Sequence, residues 1–173
     1  YRSLLDGAWG VADVEDCLNG ARHLRGQGVV DGDRLLIRGG SAGGYTTLRA
    51  LTTSRAFAAG ASYYGVSDLE TLAQETHKFE SRYLDGLVGP YPERQDIYRQ
   101  RSPIHWAHRV ACPVIFLQGS EDRVVPPRQA ETMIEALHDS GLPIAYLLFK
   151  DEQHGFRRSG TTTLALQAEL AFY

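Results

Sequence analysis

Val11, Val14, Leu18, Ala21 and Leu24 recur at steps of three and four, the spacing that lays side chains along one face of a helix. The spacing predicts a helix over 13–25, with Asp13 offering a capping oxygen near its start and Gly26 and Gly28 ending it. After the turn Asp31-Gly32-Asp33, the short run Arg34 to Arg38 predicts a strand. Glycine-rich residues 39–44 and a helical stretch near 45–53 follow. The alternation then repeats three times. A strand is expected over 57–64, a strand over 113–118 with a helix over 128–140, and a strand over 144–150 with a closing helix from about residue 161. Strands alternating with helices predict an α/β fold, a mostly parallel sheet covered on both faces. The segment 67–110, rich in Tyr, Arg and Glu, breaks this rhythm and is expected to form short helices over the sheet edge, where substrate-binding elements often sit.

Composition narrows the function. With 173 residues and 43 % hydrophobic content the chain can bury one substantial core. Its net charge of -3 is spread along the sequence without a basic face, so nucleic acid is not an expected partner. No apolar stretch approaches the about 18 residues of a membrane span, and residues 1–6 lack the apolar core of a signal peptide. No membrane association and a cytoplasmic location are therefore expected. Cys17 and Cys112 have no second pair to make a zinc site, and both are expected to be buried, inert thiols.

The chemistry concentrates in three places. Gly39-Gly40-Ser41-Ala42-Gly43 fits G-x-S-x-G between a strand and a helix, the setting of a nucleophile elbow. Glycines at 39 and 43 are expected to relieve crowding in the turn, and the N–H of Ala42, at the helix start, is the expected oxyanion donor. A phosphate loop is disfavoured, because no Lys follows the last glycine and no G-x-G-x-x-G is completed. A serine hydroxyl needs an imidazole to take its proton and a carboxylate to fix that imidazole's tautomer. Asp122 follows the strand 114–117 and His154 follows the next one, in the order Ser, Asp, His that α/β-hydrolases use. Glu121 is the rival acid. The other histidines, 23, 77, 105, 108 and 138, are read as solvated or structural.

Four stretches together resemble the catalytic domain of the prolyl oligopeptidase family of serine peptidases, nearest its acylaminoacyl-peptidase and dipeptidyl-aminopeptidase branch. They are Trp9 to Asp16, Gly39 to Gly44, Gly119 to Pro127, and His154-Gly155-Phe156. The resemblance implies an α/β-hydrolase fold seen in part, with the whole of 1–173 as its C-terminal portion, and with the early strands, a second oxyanion donor and a β-propeller upstream. It implies that Ser41 attacks the scissile carbonyl, His154 shuttles the proton, and Asp122 orients His154. It also implies that Val66, Phe79, Tyr83 and Val125 line the pocket for the residue before the cleaved bond. At Val124 the chain departs from the polar or basic residue that members often carry, so backbone anchoring of a peptide must come from elsewhere, such as Arg123.

The activity so implied is cleavage of short peptides near their N-terminus, by an aminopeptidase, dipeptidyl-peptidase or acylaminoacyl-peptidase reaction. A carboxylesterase with the same triad, or a non-catalytic hydrolase-like binding module, are the alternatives. A short peptide is the expected partner, a homo-oligomer is left open, and neither metal nor organic cofactor is expected, since the serine mechanism needs none.

Overall fold

The computed structural model describes residues 2–75 and 83–173. A 3₁₀ turn at Arg2–Leu5 leads into α1 (Ala12–Gly26), and the chain then alternates β1 (Leu36–Gly40), α2 (Ala42–Thr53) and β2 (Ala59–Tyr63). Short helices α3 (Leu69–Glu75), α4 (Tyr83–Leu87) and α5 (Gln95–Arg101) and a 3₁₀ segment Pro103–Arg109 come next. β3 (Val114–Gly119), α6 (Arg128–Leu137), β4 (Ile144–Phe149) and α7 (Ser159–Phe172) complete it. The four strands lie in sequence order, β1-β2-β3-β4, and every neighbouring pair is parallel.

β3 explains why both faces are covered. All six of its residues are buried. With side chains alternating across the sheet, Val114 and Phe116 join Leu48, Leu51, Met133 and Leu137 from α2 and α6, while Ile115 and Leu117 join Ala165 of α7. Helices α1, α2 and α6 thus serve one face and α7 the other. A third apolar cluster lies at the carboxyl ends of the strands. Val66 after β2 and Val125 after β3 pack with Trp9, Tyr45, Leu84 and Tyr98, so the short helices of 67–110 are anchored at the sheet end where loops carry chemistry.

Three expectations need correction. β1 starts at Leu36, two residues later than expected, because Arg34 is held in the preceding turn by Asp31 at 2.6 Å, while Gly39 and Gly40 continue the ladder opposite Ser62 and Tyr63. Asp13 does not cap α1 from outside. It lies within the helix, buried, where Oδ1 accepts the N–H of Gly10 at 2.7 Å and Oδ2 accepts the hydroxyl of Thr46 at 2.5 Å, tying α1 to α2. Finally, Cys112 is buried but Cys17 is exposed, since only Val14, Leu18 and Ala21 of the predicted stripe are covered, together with Asp13. Local burial of its sulfur, then the charges of Asp13 and Asp16, push the Cys17 thiol up, away from the reactive thiolate. No helix among the described residues is long and apolar enough to cross a membrane.

Candidate active site

Ser41 occupies the turn between β1 and α2 with φ 55° and ψ -119°, a conformation that costs a residue with a Cβ about 1–3 kcal/mol and persists only where its surroundings over-determine it. They do so here. The Ser41 N–H donates to the Tyr63 carbonyl at 2.9 Å, and the Ser41 carbonyl accepts the Tyr45 N–H at 3.0 Å. Gly39 is required by contact, because a Cβ there would lie 2.2 Å from the Gly43 carbonyl oxygen. The second close approach is at Gly44, where a Cβ would lie 2.6 Å from Gly65 Cα. Position 43 faces open space, so the relief expected at Gly43 belongs to Gly44 instead.

The structure brings Ser41, His154 and Asp122 together. His154 Nε2 lies 2.8 Å from Ser41 Oγ, and its Nδ1 lies 2.8 Å from Asp122 Oδ2. A carboxylate only accepts, so Nδ1 carries the hydrogen and Nε2 is left with the lone pair that the serine hydroxyl needs. Asp122 is fully enclosed. Its Oδ1 accepts the N–H groups of Val124 and Val125, both at 2.9 Å, and Oδ2 accepts the Gln118 amide at 3.2 Å beside the imidazole. Four donors therefore converge on one buried carboxylate, an arrangement that fixes its orientation. The rival Glu121 is exposed, and only its backbone reaches the site, donating to the Glu152 carbonyl at 2.9 Å.

Two supporting residues escaped sequence reasoning. Gln118 reads as the end of an apolar strand, yet its buried amide spans Asp122 and the Val125 carbonyl at 3.0 Å. Glu152 reads as one more acidic loop residue, yet it is 2 % exposed and accepts the N–H groups of Arg157 at 3.0 Å and Arg158 at 3.2 Å, closing the loop that carries His154. Those bonds, that of Arg157 first, hold its carboxyl below the ordinary value of 4.5 against an opposing desolvation. Close approach helps as well: a Cβ at Gly119 would meet the Glu152 carbonyl at 2.5 Å.

A group with a depressed folded pKa stabilises above its unfolded value and loses that contribution as pH falls through the folded one. Glu152→Gln is therefore expected to lower stability by about 1–3 kcal/mol at neutral pH. The difference from wild type should close as melting curves are taken to pH values below 4.5. A difference independent of pH would remove the charge from this account.

Of the predicted pocket, Val66 and Val125 are buried in the cluster with Tyr45, Tyr83 is 58 % exposed at the start of α4, and Phe79 lies outside the described residues. Ala42 is the first residue of α2, so its N–H belongs to the turn that has no helical carbonyl to bond and stands beside Ser41. Among the described residues, Asp68, Glu70 and His105 bring possible metal-ligand atoms within 4.8 Å of one another. Their carboxylates are already engaged. Glu70 accepts Gln95 at 2.6 Å and Arg99 at 2.9 Å, and Asp68 accepts the Glu70 N–H at 2.9 Å and the Thr71 hydroxyl at 2.6 Å.

Comparison with known proteins extends this geometry. A puromycin-hydrolyzing peptidase of Mycobacterium tuberculosis superposes with a TM-score of 0.97 at 53 % identity, over 100 % of this chain and 26 % of that one. Dipeptidyl aminopeptidase BIII of Pseudoxanthomonas mexicana is 32 % identical over 159 residues, which is 88 % of this chain and 23 % of that protein. Esterase LipQ of Mycobacterium tuberculosis is 31 % identical over 175 residues, 92 % of this chain and 41 % of that enzyme. The chain thus spans about a quarter of the length of the two peptidases. The model of the prolyl oligopeptidase family matches residues 1–173. With an elbow serine after β1, a buried carboxylate after β3 and an imidazole after β4 of a parallel sheet, and a family match from end to end, the chain belongs to the prolyl oligopeptidase family, with the α/β-hydrolase fold.

Proposed function

We propose that the protein is a serine peptidase that cleaves short peptides near their N-terminus through an acyl-enzyme on Ser41. The observation that carries this reading is the hydrogen-bonded chain from Ser41 Oγ through His154 to Asp122, with both links at 2.8 Å. His154 Nε2 takes the hydroxyl proton as Ser41 Oγ attacks the scissile carbonyl carbon, and the oxyanion that forms draws on the Ala42 N–H. When the intermediate collapses, the C–N bond breaks and the same proton leaves with the amine. Water then gives its proton to His154, attacks the acyl carbon, and the proton returns to Ser41 as the carboxylic acid departs. Asp122 stays ionised throughout and stabilises the imidazolium.

Similarity to a dipeptidyl aminopeptidase, a plant acylamino-acid-releasing enzyme and a puromycin-hydrolyzing peptidase supports this reading. A carboxylesterase is the second reading, favoured by the similarity to Esterase LipQ. Assays on aminoacyl-, dipeptidyl- and acylaminoacyl-anilides beside p-nitrophenyl esters separate the two. Anilide turnover identifies the peptidase and its branch, whereas ester turnover with no anilide cleavage moves the protein to the esterases.

A further inference from the structure

Tyr64, at the end of β2, has φ 38°, a left-handed backbone in which a bulky aromatic residue is an outlier. Strain of this kind costs about 1–3 kcal/mol and survives where neighbouring structure insists on it. The Tyr64 N–H donates to the Leu117 carbonyl at 2.8 Å, so the distorted peptide is pinned to β3. That backbone turns the ring toward the elbow and the His154 loop. Its centroid lies 4.9 Å from that of the His154 imidazole at an interplanar angle of 65°, and 5.4 Å from Phe156 at 83°. Gly40 also lies against the ring: a Cβ there would come within 3.0 Å of Tyr64 Cε2 and 3.1 Å of its hydroxyl. The variable position of the G-x-S-x-G motif is thus a glycine here because this ring fills the space a side chain would take.

We propose that Tyr64 is a positioning residue for His154, its ring packed against both Gly40 and the imidazole so that Nε2 is kept on Ser41. This inference rests on the reading of Ser41, His154 and Asp122 as the reacting set. Asp122 fixes the imidazole only at Nδ1, through one hydrogen bond about which the ring can still swing. An aromatic ring within about 5 Å, tilted edge-to-face against the imidazole, blocks that swing. Burial, then the nearby Asp122 charge, push the phenol up, so the ring meets the imidazole uncharged at neutral pH. A side chain that only filled space would serve equally well with any apolar group of similar volume.

The test measures inactivation of the complete protein by a fluorophosphonate, resolving the maximal rate of Ser41 phosphonylation from the probe's binding constant. Tyr64→Met keeps volume without a ring and is expected to lower the maximal rate about tenfold, with the binding constant within about twofold. Tyr64→Phe should restore the rate to within about threefold of wild type. Gly40→Ala, whose Cβ crowds the ring at Cε2 and the hydroxyl, should reproduce the rate loss even if the Met variant does not fold. A Met variant that folds and reacts within about twofold of wild type overturns the proposal. So does an equal loss in the Phe variant, a loss carried entirely by binding, or a Gly40→Ala protein of unchanged rate. Labelling that persists in Ser41→Ala would instead overturn the reading of the reacting set itself, which keeps the two failures distinct.

Discussion

Ser41→Ala is expected to abolish fluorophosphonate labelling and to lower kcat by about 10⁶, the scale of loss when the nucleophile of a Ser-His-Asp set is removed. The reason is in the geometry: among the described residues, Ser41 Oγ alone lies at hydrogen-bond distance on Nε2 of His154. Stability should change little or improve, because alanine still carries a Cβ into the φ 55° turn but gives up only a partly buried hydroxyl. Mass spectrometry of the labelled wild type and a thermal melt of the variant check both halves. Labelling mapped to another serine, or retained turnover above about one part in 10³, would reassign the nucleophile.

Asp122→Asn should lower kcat by about 10⁴ with the fold intact. The carboxylate accepts from four donors, and an amide can accept at only one of its two atoms. With the amide oxygen kept on the Val124 and Val125 N–H groups, its NH₂ must take the Oδ2 position, facing the Gln118 amide and His154 Nδ1. That NH₂ can bond only a bare Nδ1, which drives the imidazole hydrogen to Nε2 and leaves no base for Ser41. Steady-state turnover over a range of pH, with a melt to establish folding, measures the effect. A loss smaller than about tenfold would return Glu121 to consideration.

Much of this was legible along the chain. The step of three and four in α1, the near-continuous apolar run of β3 and the strand-turn-helix setting of Ser41 are local patterns, each set by a side-chain period or by a backbone requirement at one point. The order Ser, Asp, His after β1, β3 and β4 is legible for the same reason, since parallel strands all place their following loops at one sheet end. What misled was local reading of non-local facts. Relief of the elbow falls to Gly44 rather than Gly43, because the contact partner of Gly44 is Gly65, on the segment after β2. Asp13 offers an oxygen at the start of α1, but its second partner, Thr46, is 33 residues away and only the fold brings it there.

Element order, the elbow and the three residues whose side chains meet at it are thus readable along the chain, since periodicity and motif spacing are properties of neighbours. Which side chains hold those three in place follows from how the chain is folded and what it buries. Gln118 at the end of β3 reaches Asp122 and Val125 in the segment that follows, Glu152 closes the loop after β4 on Arg157 and Arg158, and Tyr64 after β2 meets the imidazole carried after β4. Burial turns an ordinary glutamine, glutamate or tyrosine into a fixed donor, acceptor or wedge, because a polar group removed from water must find a partner and an aromatic ring must be packed. Which partner it finds is set by the register of the strands that carry it.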